Sequence, residues 1–160
     1  MPEYKQYIRC NIVKATPMTR GDYTRMYGCQ DPSKENPSAD GYLVIDSDGH
    51  VSWCPKEQFE AAGRPIDGMT FGQAIEAMKH GKKVARRGWN GKGMYLWLLA
   101  AANVKAEWCK EPHLKELAEQ NGGEVECLGS VRMKTADGKV LTGWLASQTD
   151  MLSEDWVIVE

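Results

Sequence analysis

The sequence lacks any long hydrophobic segment. Its longest apolar run, Met94 to Ala102, is far shorter than the about 20 residues that a membrane-spanning helix needs. The first ten residues contain no apolar core of the kind that directs secretion. With 42% hydrophobic and 26% charged residues, the 160-residue chain has the composition of a globular protein. We therefore expect a soluble intracellular protein with no membrane partner.

Disulfide and metal-ligand patterns are also missing. The five cysteines are odd in number and widely scattered, and no Cys-x-x-Cys pair occurs. Reduced thiols therefore fit this chain better than a disulfide scaffold. Cys109 and His113 are close together, but no second pair of zinc ligands lies at a suitable spacing. The sequence predicts neither a metal site nor a bound cofactor.

No catalytic motif is recognisable. The glycine-rich stretch 88–93 has neither the spacing of a P-loop nor that of a dinucleotide-binding loop. A Gly-x-Ser-x-Gly nucleophile motif is absent, and the three histidines lie in unrelated local settings. A triad assembled from distant positions remains an alternative. We predict no catalytic residues, and hence a binding protein and not an enzyme.

Acidic residues are missing from one stretch of the chain, residues 77–106. That stretch carries seven Lys or Arg residues, whereas the chain as a whole has a net charge of −2. A single concentrated basic stretch suits a small or local anion, because duplex nucleic acid requires a broad basic face. The charge alone leaves a solvated basic surface without any ligand as the alternative.

Two units are predicted, 1–65 and 69–160, separated by a linker at 64–68. In the first, strands are expected at 7–13, 41–45 and 50–53, helices at 19–27 and 56–62, and a polar loop at 30–40. In the second, a helix is expected from 71 to about 80, because Thr70 and Gln73 fit a capping box. Another helix is expected at 112–120, with Leu114, Leu117 and Ala118 on one side. Strands are expected at 82–86, 94–99, 131–135, 139–145 and 156–159. The predicted fold class is α+β, an antiparallel β-sheet core with a packed helix after a small α+β module. Units this small favour an oligomer.

The first candidate site is the stretch from Arg86 to Lys92. Arg86 and Arg87 offer forked donors for phosphate. Trp89 offers a flat face on which a base can stack, and Asn90 carries a donor and an acceptor for a base edge. The intervening glycines leave backbone amides accessible to anions. These groups together predict a nucleotide pocket, and the alternative is a tryptophan that folds back onto the core.

The second candidate site is a run of four polar residues, Ser147, Gln148, Thr149 and Asp150. An acidic group suits ribose hydroxyls, and amide and hydroxyl groups suit phosphate or base edges. The alternative is a helix cap, with Thr149 or Asp150 capping a short turn. The two interpretations are compatible, because a cap uses only part of the run.

Four segments together resemble a known phage family. They are 69–78 (MTFGQAIEAM), 81–94 (GKKVARRGWNGKGM), 133–138 (MKTADG) and 143–156 (GWLASQTDMLSEDW). In these motifs and their order, residues 69–160 resemble the second family of Thoeris anti-defence proteins, small phage sponges for cyclic nucleotides. Residues 101–127 are a variable middle that does not align. Residues 1–65 are an extra segment that resembles a small phage module of no established function.

The resemblance implies a function and a site. Such proteins bind, without cleaving, cyclic ADP-ribose isomers such as glycocyclic ADP-ribose, with which Thoeris systems activate their effector. It also implies a homotetramer with pockets between subunits in the cytoplasm of the infected bacterial host, and separate sites for cyclic dinucleotides in some members. The matching motif positions are Trp89, Asn90, Ser147, Gln148, Thr149 and Asp150, to which charge adds Arg86 and Arg87. A messenger-degrading enzyme and a binder of single-stranded nucleic acid remain the alternatives.

Overall fold

The computed structural model describes residues 11–28 and 36–160, and the chain divides into two compact units, Met1–Pro65 and Ile66–Glu160. The described strands are β1 (Lys14–Pro17), β2 (Gly41–Ile45), β3 (Val51–Pro55), β4 (Lys83–Arg86), β5 (Tyr95–Leu99), β6 (Ala102–Lys105), β7 (Glu124–Cys127), β8 (Ser130–Lys134), β9 (Val140–Thr142) and β10 (Trp156–Val159). The described α-helices are α1 (Arg20–Tyr27), α2 (Lys56–Ala62), α3 (Phe71–Lys79), α4 (Pro112–Gln120) and α5 (Gln148–Met151). Within the described ranges, every helix is too short or too polar to cross a membrane.

The first unit is a three-stranded antiparallel sheet with β2 in its centre. Leu43 of β2 is buried in this unit. Helix α2 packs against β2 and β3, where Tyr42 stacks on Phe59 with ring centroids 4.3 Å apart. The indole Nε1 of Trp53 donates to the carbonyl oxygen of Met18 at 2.9 Å, which joins β3 to the segment before α1.

Most of the elements expected in the first unit are confirmed. Helix α1 begins after Thr19, whose hydroxyl accepts from the amide of Asp22, and it ends at Gly28 with φ +64°. The β2–β3 hairpin and α2 also lie where they were expected. The strand expected at 7–13 is wrong over 11–13, which is irregular, and residues 7–10 and 30–35 lie outside the described residues. The edge strand β1 is exposed throughout, so no burial alternation marks it in the sequence.

The second unit is built on a five-stranded antiparallel sheet in the order β10-β4-β5-β8-β9. Residues paired across an antiparallel ladder have their side chains on the same face. Ile158, Val84, Leu96 and Met133 form such a row, and α3 packs on it to form the core. We call this side the helix-covered face. The other side, which we call the cationic face, is made by Lys83, Ala85, Tyr95, Trp97, Leu99, Ser130, Arg132, Lys134, Val140, Thr142, Val157 and Val159. The predicted α+β class is confirmed.

Helix α3 is held at its start by two local devices. The hydroxyl of Thr70 accepts from the amide of Gln73, and the side chain of Gln73 accepts from the amide of Thr70 at 2.9 Å, which confirms the expected capping box. Just before the helix, Met69 and Trp156 exchange two backbone hydrogen bonds of 2.8 and 3.2 Å. The start of α3 is therefore attached directly to β10.

Between β5 and β8 the chain forms a small lobe, residues 102–127. Strands β6 and β7 pair, and α4 packs on them together with a short 3₁₀ helix, Ala106–Trp108. The sequence pattern predicted α4 but neither strand, because each strand has four mostly exposed residues. Ala118 is buried in the lobe, but Leu117, which was expected beside it on the packed side of α4, is 45% exposed.

The last predicted hairpin is shorter than expected. Strand β9 ends at Thr142 and does not extend to 145, because Gly143 turns the backbone with φ +80°. Trp144 therefore lies outside the sheet and packs against the core of the helix-covered face. Residues 143–155 form a loop that contains α5, and β10 then returns beside β4.

Candidate functional site

The two candidate stretches meet at one end of the sheet. Arg86, the last residue of β4, pairs with Trp156, the first residue of β10. This register places the turn after β4 beside the loop that precedes β10. The backbone amide of Arg87 donates to the carbonyl oxygen of Asp155 at 3.1 Å. Residues that are far apart in sequence thus become neighbours.

Arg86 lies between two carboxylates. Its Nε donates to Oδ1 of Asp155 and its Nη1 donates to Oδ1 of Asp150, both at 2.8 Å. The side chains of Arg86 and Asp150 are only 12% and 13% exposed. An unpaired charge with so little solvent would be costly, so the pairing compensates all three groups. The hydrogen bond to Asp155 contributes most to raising the pKa of Arg86.

Asp150 connects the turn to α5. Its Oδ1 also accepts from Nε1 of Trp89 at 3.0 Å, and its Oδ2 accepts from the hydroxyl of Ser147 at 2.7 Å. Its backbone carbonyl accepts from Nε1 of Trp156 at 3.0 Å. Burial raises the pKa of Asp150, but the hydrogen bonds that it accepts, led by that from Ser147, outweigh burial and lower the pKa to about 2. The carboxylate is therefore ionised at neutral pH.

Asp155 holds the backbone of the turn. Its Oδ2 accepts from the amide of Gly88 at 2.8 Å. The hydrogen bond from Arg86 is the main reason why the pKa of Asp155 is lowered. A Cβ atom at position 88 would lie 2.7 Å from Oδ2 of Asp155, so this close approach requires glycine. We call the set of Arg86, Trp89, Asp150 and Asp155 the clamp.

Trp89 lies in an aromatic cluster. Its ring centroid is 6.1 Å from that of Trp144 and 5.4 Å from that of Trp156, with both pairs edge to face. The residue is half-buried and packs against the core. The structure therefore has the folded-back tryptophan that was the alternative interpretation. A ligand can reach only the exposed part of the indole.

The remaining predicted residues are exposed around the clamp: Arg87, Asn90, Gln148 and Thr149. Nη2 of Arg87 lies 3.0 Å from Oδ2 of Asp67, in an ion pair whose side chains are 58% and 71% exposed. Asn90 directly follows Trp89, and Gln148 and Thr149 directly precede Asp150. Because the clamp joins Trp89 to Asp150, these exposed side chains are brought to the same part of the surface.

Ser147 is the cap of α5. Its hydroxyl accepts from the amide of Asp150 at 3.1 Å, and Asp150 reciprocates through its carboxylate. The expectation that Thr149 or Asp150 is the capping residue is wrong. Capping occupies Ser147 and Asp150 and leaves the two residues between them exposed, so a cap and a ligand site coexist in this loop.

Comparison with known proteins assigns the chain that carries this site to a family. A family model described as a Thoeris anti-defense 2-like domain matches residues 69–159. The chain belongs to this family. A curated protein, Thoeris anti-defense 2 of Bacillus phage SP01, is 37% identical over 98 residues, which cover 57% of this chain and 94% of that protein. The resemblance read from the four motifs is therefore confirmed.

The whole clamp lies within the Thoeris anti-defense 2-like domain. Sequence reasoning missed one of its members, Asp155, although this residue lies inside a recognised motif. No local spacing marks it, because its partner Arg86 is 69 positions away. The available signal was an acidic residue directly before the last strand, in a chain where β4 ends at Arg86.

A surface hollow of about 470 Å³ lies in the lobe and not at the clamp. It is lined by Lys105, Ala106, Glu107, Lys115, Glu119 and Gly123. None of the predicted site residues is among them. Two lysines and two glutamates balance each other there, so the hollow carries no preference for an anion.

Proposed function

We propose that the protein is a phage anti-defense sponge that binds and sequesters a cyclic ADP-ribose-type messenger, such as glycocyclic ADP-ribose, without cleaving it. The observation that carries this proposal is the clamp, which joins a cationic, glycine-rich turn to a polar loop inside an anti-Thoeris domain. A sponge acts by mass action, since it lowers the free messenger below the concentration that the Thoeris effector needs. It would act where that signal is made, in the cytoplasm of the infected host.

In this proposal the clamp positions the site and does not contact phosphate. Arg86 and Asp150 were both predicted as ligand residues, but each compensates the other in a largely buried network. A guanidinium already held by two carboxylates has little charge left for a ligand. We therefore assign the pyrophosphate contact to Arg87, because its exposed ion pair with Asp67 is weak and easily exchanged.

The neutral contacts of the site come from the exposed side chains beside the clamp. We assign base-edge and ribose contacts to Asn90, Gln148 and Thr149, which carry donors and acceptors at the surface. Trp89 contributes the exposed part of its indole as one wall of the site. Because its Nε1 is already bonded to Asp150, the ring loses little conformational entropy when a ligand binds.

We further propose that copies of the chain associate, up to a homotetramer, and complete the site. Large apolar side chains are exposed along β9 and around α5, and Leu145 reaches 88% exposure. The others are Val140, Leu141, Met151 and Leu152. Several large apolar side chains exposed within one short stretch of the chain, 140–152, favour a subunit contact there. Association would bury these residues and enclose a ligand bound beside α5.

Isothermal titration calorimetry with glycocyclic ADP-ribose tests the binding site. We expect tight binding by the full chain and a loss of about ten- to a hundredfold in Arg87→Gln, the usual range for a hydrogen bond to a charged group. Lys79→Gln is the matched control, since it removes the same charge from an exposed position on α3. No binding by the unmodified chain, or equal weakening by both variants, would contradict the proposal.

Recovery of the ligand separates a sponge from an enzyme. After incubation and heat denaturation of the protein, we expect chromatography to return the messenger unchanged. A cleaved product would replace the proposal with a messenger-degrading enzyme. Light scattering on the same sample gives the oligomeric state, and a monomer at the concentrations that bind ligand would exclude a site shared between copies.

A further inference from the structure

The cationic face of the sheet plays no part in the proposed messenger site. Five of its side chains are charged or aromatic and partly exposed: Lys83, Tyr95, Trp97, Arg132 and Lys134. The strand positions of this face carry three cations and no carboxylate. Cations around aromatic rings match a ligand that combines negative charge with flat rings.

Tyr95 lies at the centre of this cluster. Nζ of Lys83 is 5.3 Å from the centroid of its ring and Nζ of Lys134 is 5.8 Å from it. Trp97, two residues further along β5, has its ring centroid 5.7 Å from that of Tyr95, at an interplanar angle of 51°. Two rings at successive same-face positions of one strand offer surfaces for two successive bases.

Arg132 lies opposite Trp97 across the β5–β8 ladder. Its Nε is buried and has no hydrogen-bond partner within the described part of the chain. No carboxylate among the described residues pairs with its guanidinium either, unlike the guanidinium of Arg86. A ligand cannot reach the buried Nε, but the residue is partly exposed and its charge is not neutralised within the described part of the chain. Such a guanidinium attracts the oxygens of a phosphate.

We propose that the cationic face binds a short single-stranded nucleic acid. Successive bases would stack on Tyr95 and Trp97, and the phosphates would run past Lys83, Arg132 and Lys134. An antiparallel sheet with helical cover on one face and aromatic rings on the other is how a common class of RNA-binding domains presents its binding surface. The inference is independent of the messenger site, which lies at the loop end of the helix-covered face.

Other occupants fit this face less well. A small nucleotide is usually bound in a concave site that encloses most of its surface, whereas an extended strand binds along a sheet through repeated stacking and phosphate contacts. A duplex would keep its bases stacked on each other and away from the rings. A second copy packed on the same face about a two-fold axis would bring like charges together.

Fluorescence anisotropy with a fluorescein-labelled oligouridine of about ten nucleotides tests the proposal on the full chain. We expect binding at about 50 mM salt that weakens steeply towards about 200 mM. Tyr95→Ala should weaken it by roughly five- to a hundredfold because one stacking surface is lost. Tyr95→Phe keeps the ring and should bind like the unmodified chain.

The salt dependence gives a second readout that a structural role would not change. Lys83→Gln should reduce the slope of log affinity against log salt by about 0.7, the value for one phosphate contact on a single strand. Lys79→Gln, which lies on α3 and not on this face, should leave the slope unchanged. Equal slopes in both lysine variants, or no binding at low salt, would overturn the proposal.

Two further measurements on the same variants, of oligomeric state and of messenger binding, distinguish the reasons for which the proposal could fail. If Tyr95→Ala changes the oligomeric state but not the affinity for oligouridine, the face is a contact between copies and the proposal is overturned. Binding of glycocyclic ADP-ribose should be unchanged in Tyr95→Phe and Lys83→Gln. The nucleic-acid face and the messenger site can therefore fail separately.

Discussion

The two faces of the five-stranded sheet differ in whether their charged side chains are paired with charges of opposite sign. On the helix-covered face, Arg86 is paired with Asp150 and Asp155, and the side chains of Arg86 and Asp150 are largely buried. On the cationic face, Lys83 and Arg132 have no carboxylate partner within the described part of the chain. Lys83 and Arg86 belong to the same strand, β4, so the difference comes from the alternation of sides along one strand.

The difference shows which charged pairs the fold needs for its stability and which charges contribute little to it. A charge that is largely buried must be paired, because an unpaired one costs a large part of the total free energy of folding. Lys83, in contrast, is a partly exposed cation beside the ring of Tyr95, so it keeps its water and contributes little to folding. The comparison therefore predicts that substitutions on the helix-covered face lower stability, whereas those on the cationic face change binding.

The largest expected effect is the loss of Trp156. This side chain has no exposed surface and contacts the rings of Phe71, Trp89 and Trp144. Trp156→Ala should lower the free energy of unfolding by about 3–5 kcal/mol, as measured by chemical denaturation. Trp97→Ala makes the same change on the cationic face, where the indole is partly exposed, and should cost less than half as much. Equal losses would remove the distinction between the faces.

The two adjacent arginines provide the next comparison. Arg86→Ala leaves two carboxylates without their cation, and one of them, Asp150, is largely buried. The substitution should lower the free energy of unfolding by about 3 kcal/mol. Arg87→Ala breaks an exposed ion pair with Asp67 and should cost less than about 1 kcal/mol. Thermal and urea unfolding of both variants measures the difference. A similar cost for both would mean that the clamp contributes nothing beyond a surface ion pair.

These arginines also show how far the sequence predicts the site. Local signals worked well: the capping pair Thr70 and Gln73 located α3, and glycine and tryptophan in the turn marked a polar, anion-suited stretch. Arg86 and Arg87 are adjacent residues of the same type, so the sequence does not distinguish them, and both were predicted to bind phosphate. Only the pairing of β4 with β10 decides that one is enclosed and the other exposed.

What the sequence does not predict depends on contacts between distant residues. The strands β6 and β7 escaped prediction because each is short and stable only through the other. The cap at Ser147 was assigned to the wrong residue because three of the four neighbouring polar side chains, Ser147, Thr149 and Asp150, are possible caps. Asp155 was missed for a similar reason, since its role appears only when the turn after β4 lies against it.

A smaller effect is expected from pH, through Asp150. Its folded pKa of about 2 lies below the usual unfolded value of about 3.9, so the ionised form stabilises the fold above about pH 4. This contribution, about 2 kcal/mol, should be lost as the pH falls from about 5 towards 2. Denaturation curves across this range measure it. Asp150→Asn should flatten the dependence, and an unchanged profile in that variant would contradict the assigned role.

The smallest expected effect is that of Lys83→Gln on stability. The Lys83 ammonium gains from the ring of Tyr95, but Lys134 approaches the same ring, and the two like charges repel each other. These opposing contributions should leave the free energy of unfolding within about 0.5 kcal/mol of the unmodified chain, by chemical denaturation. Added salt should shrink even that difference, because it screens the repulsion. A loss above about 1 kcal/mol would show that the lysine serves the fold. A change near zero would mean that this face holds a cation that folding does not need, as expected if its partner is a ligand from outside the chain.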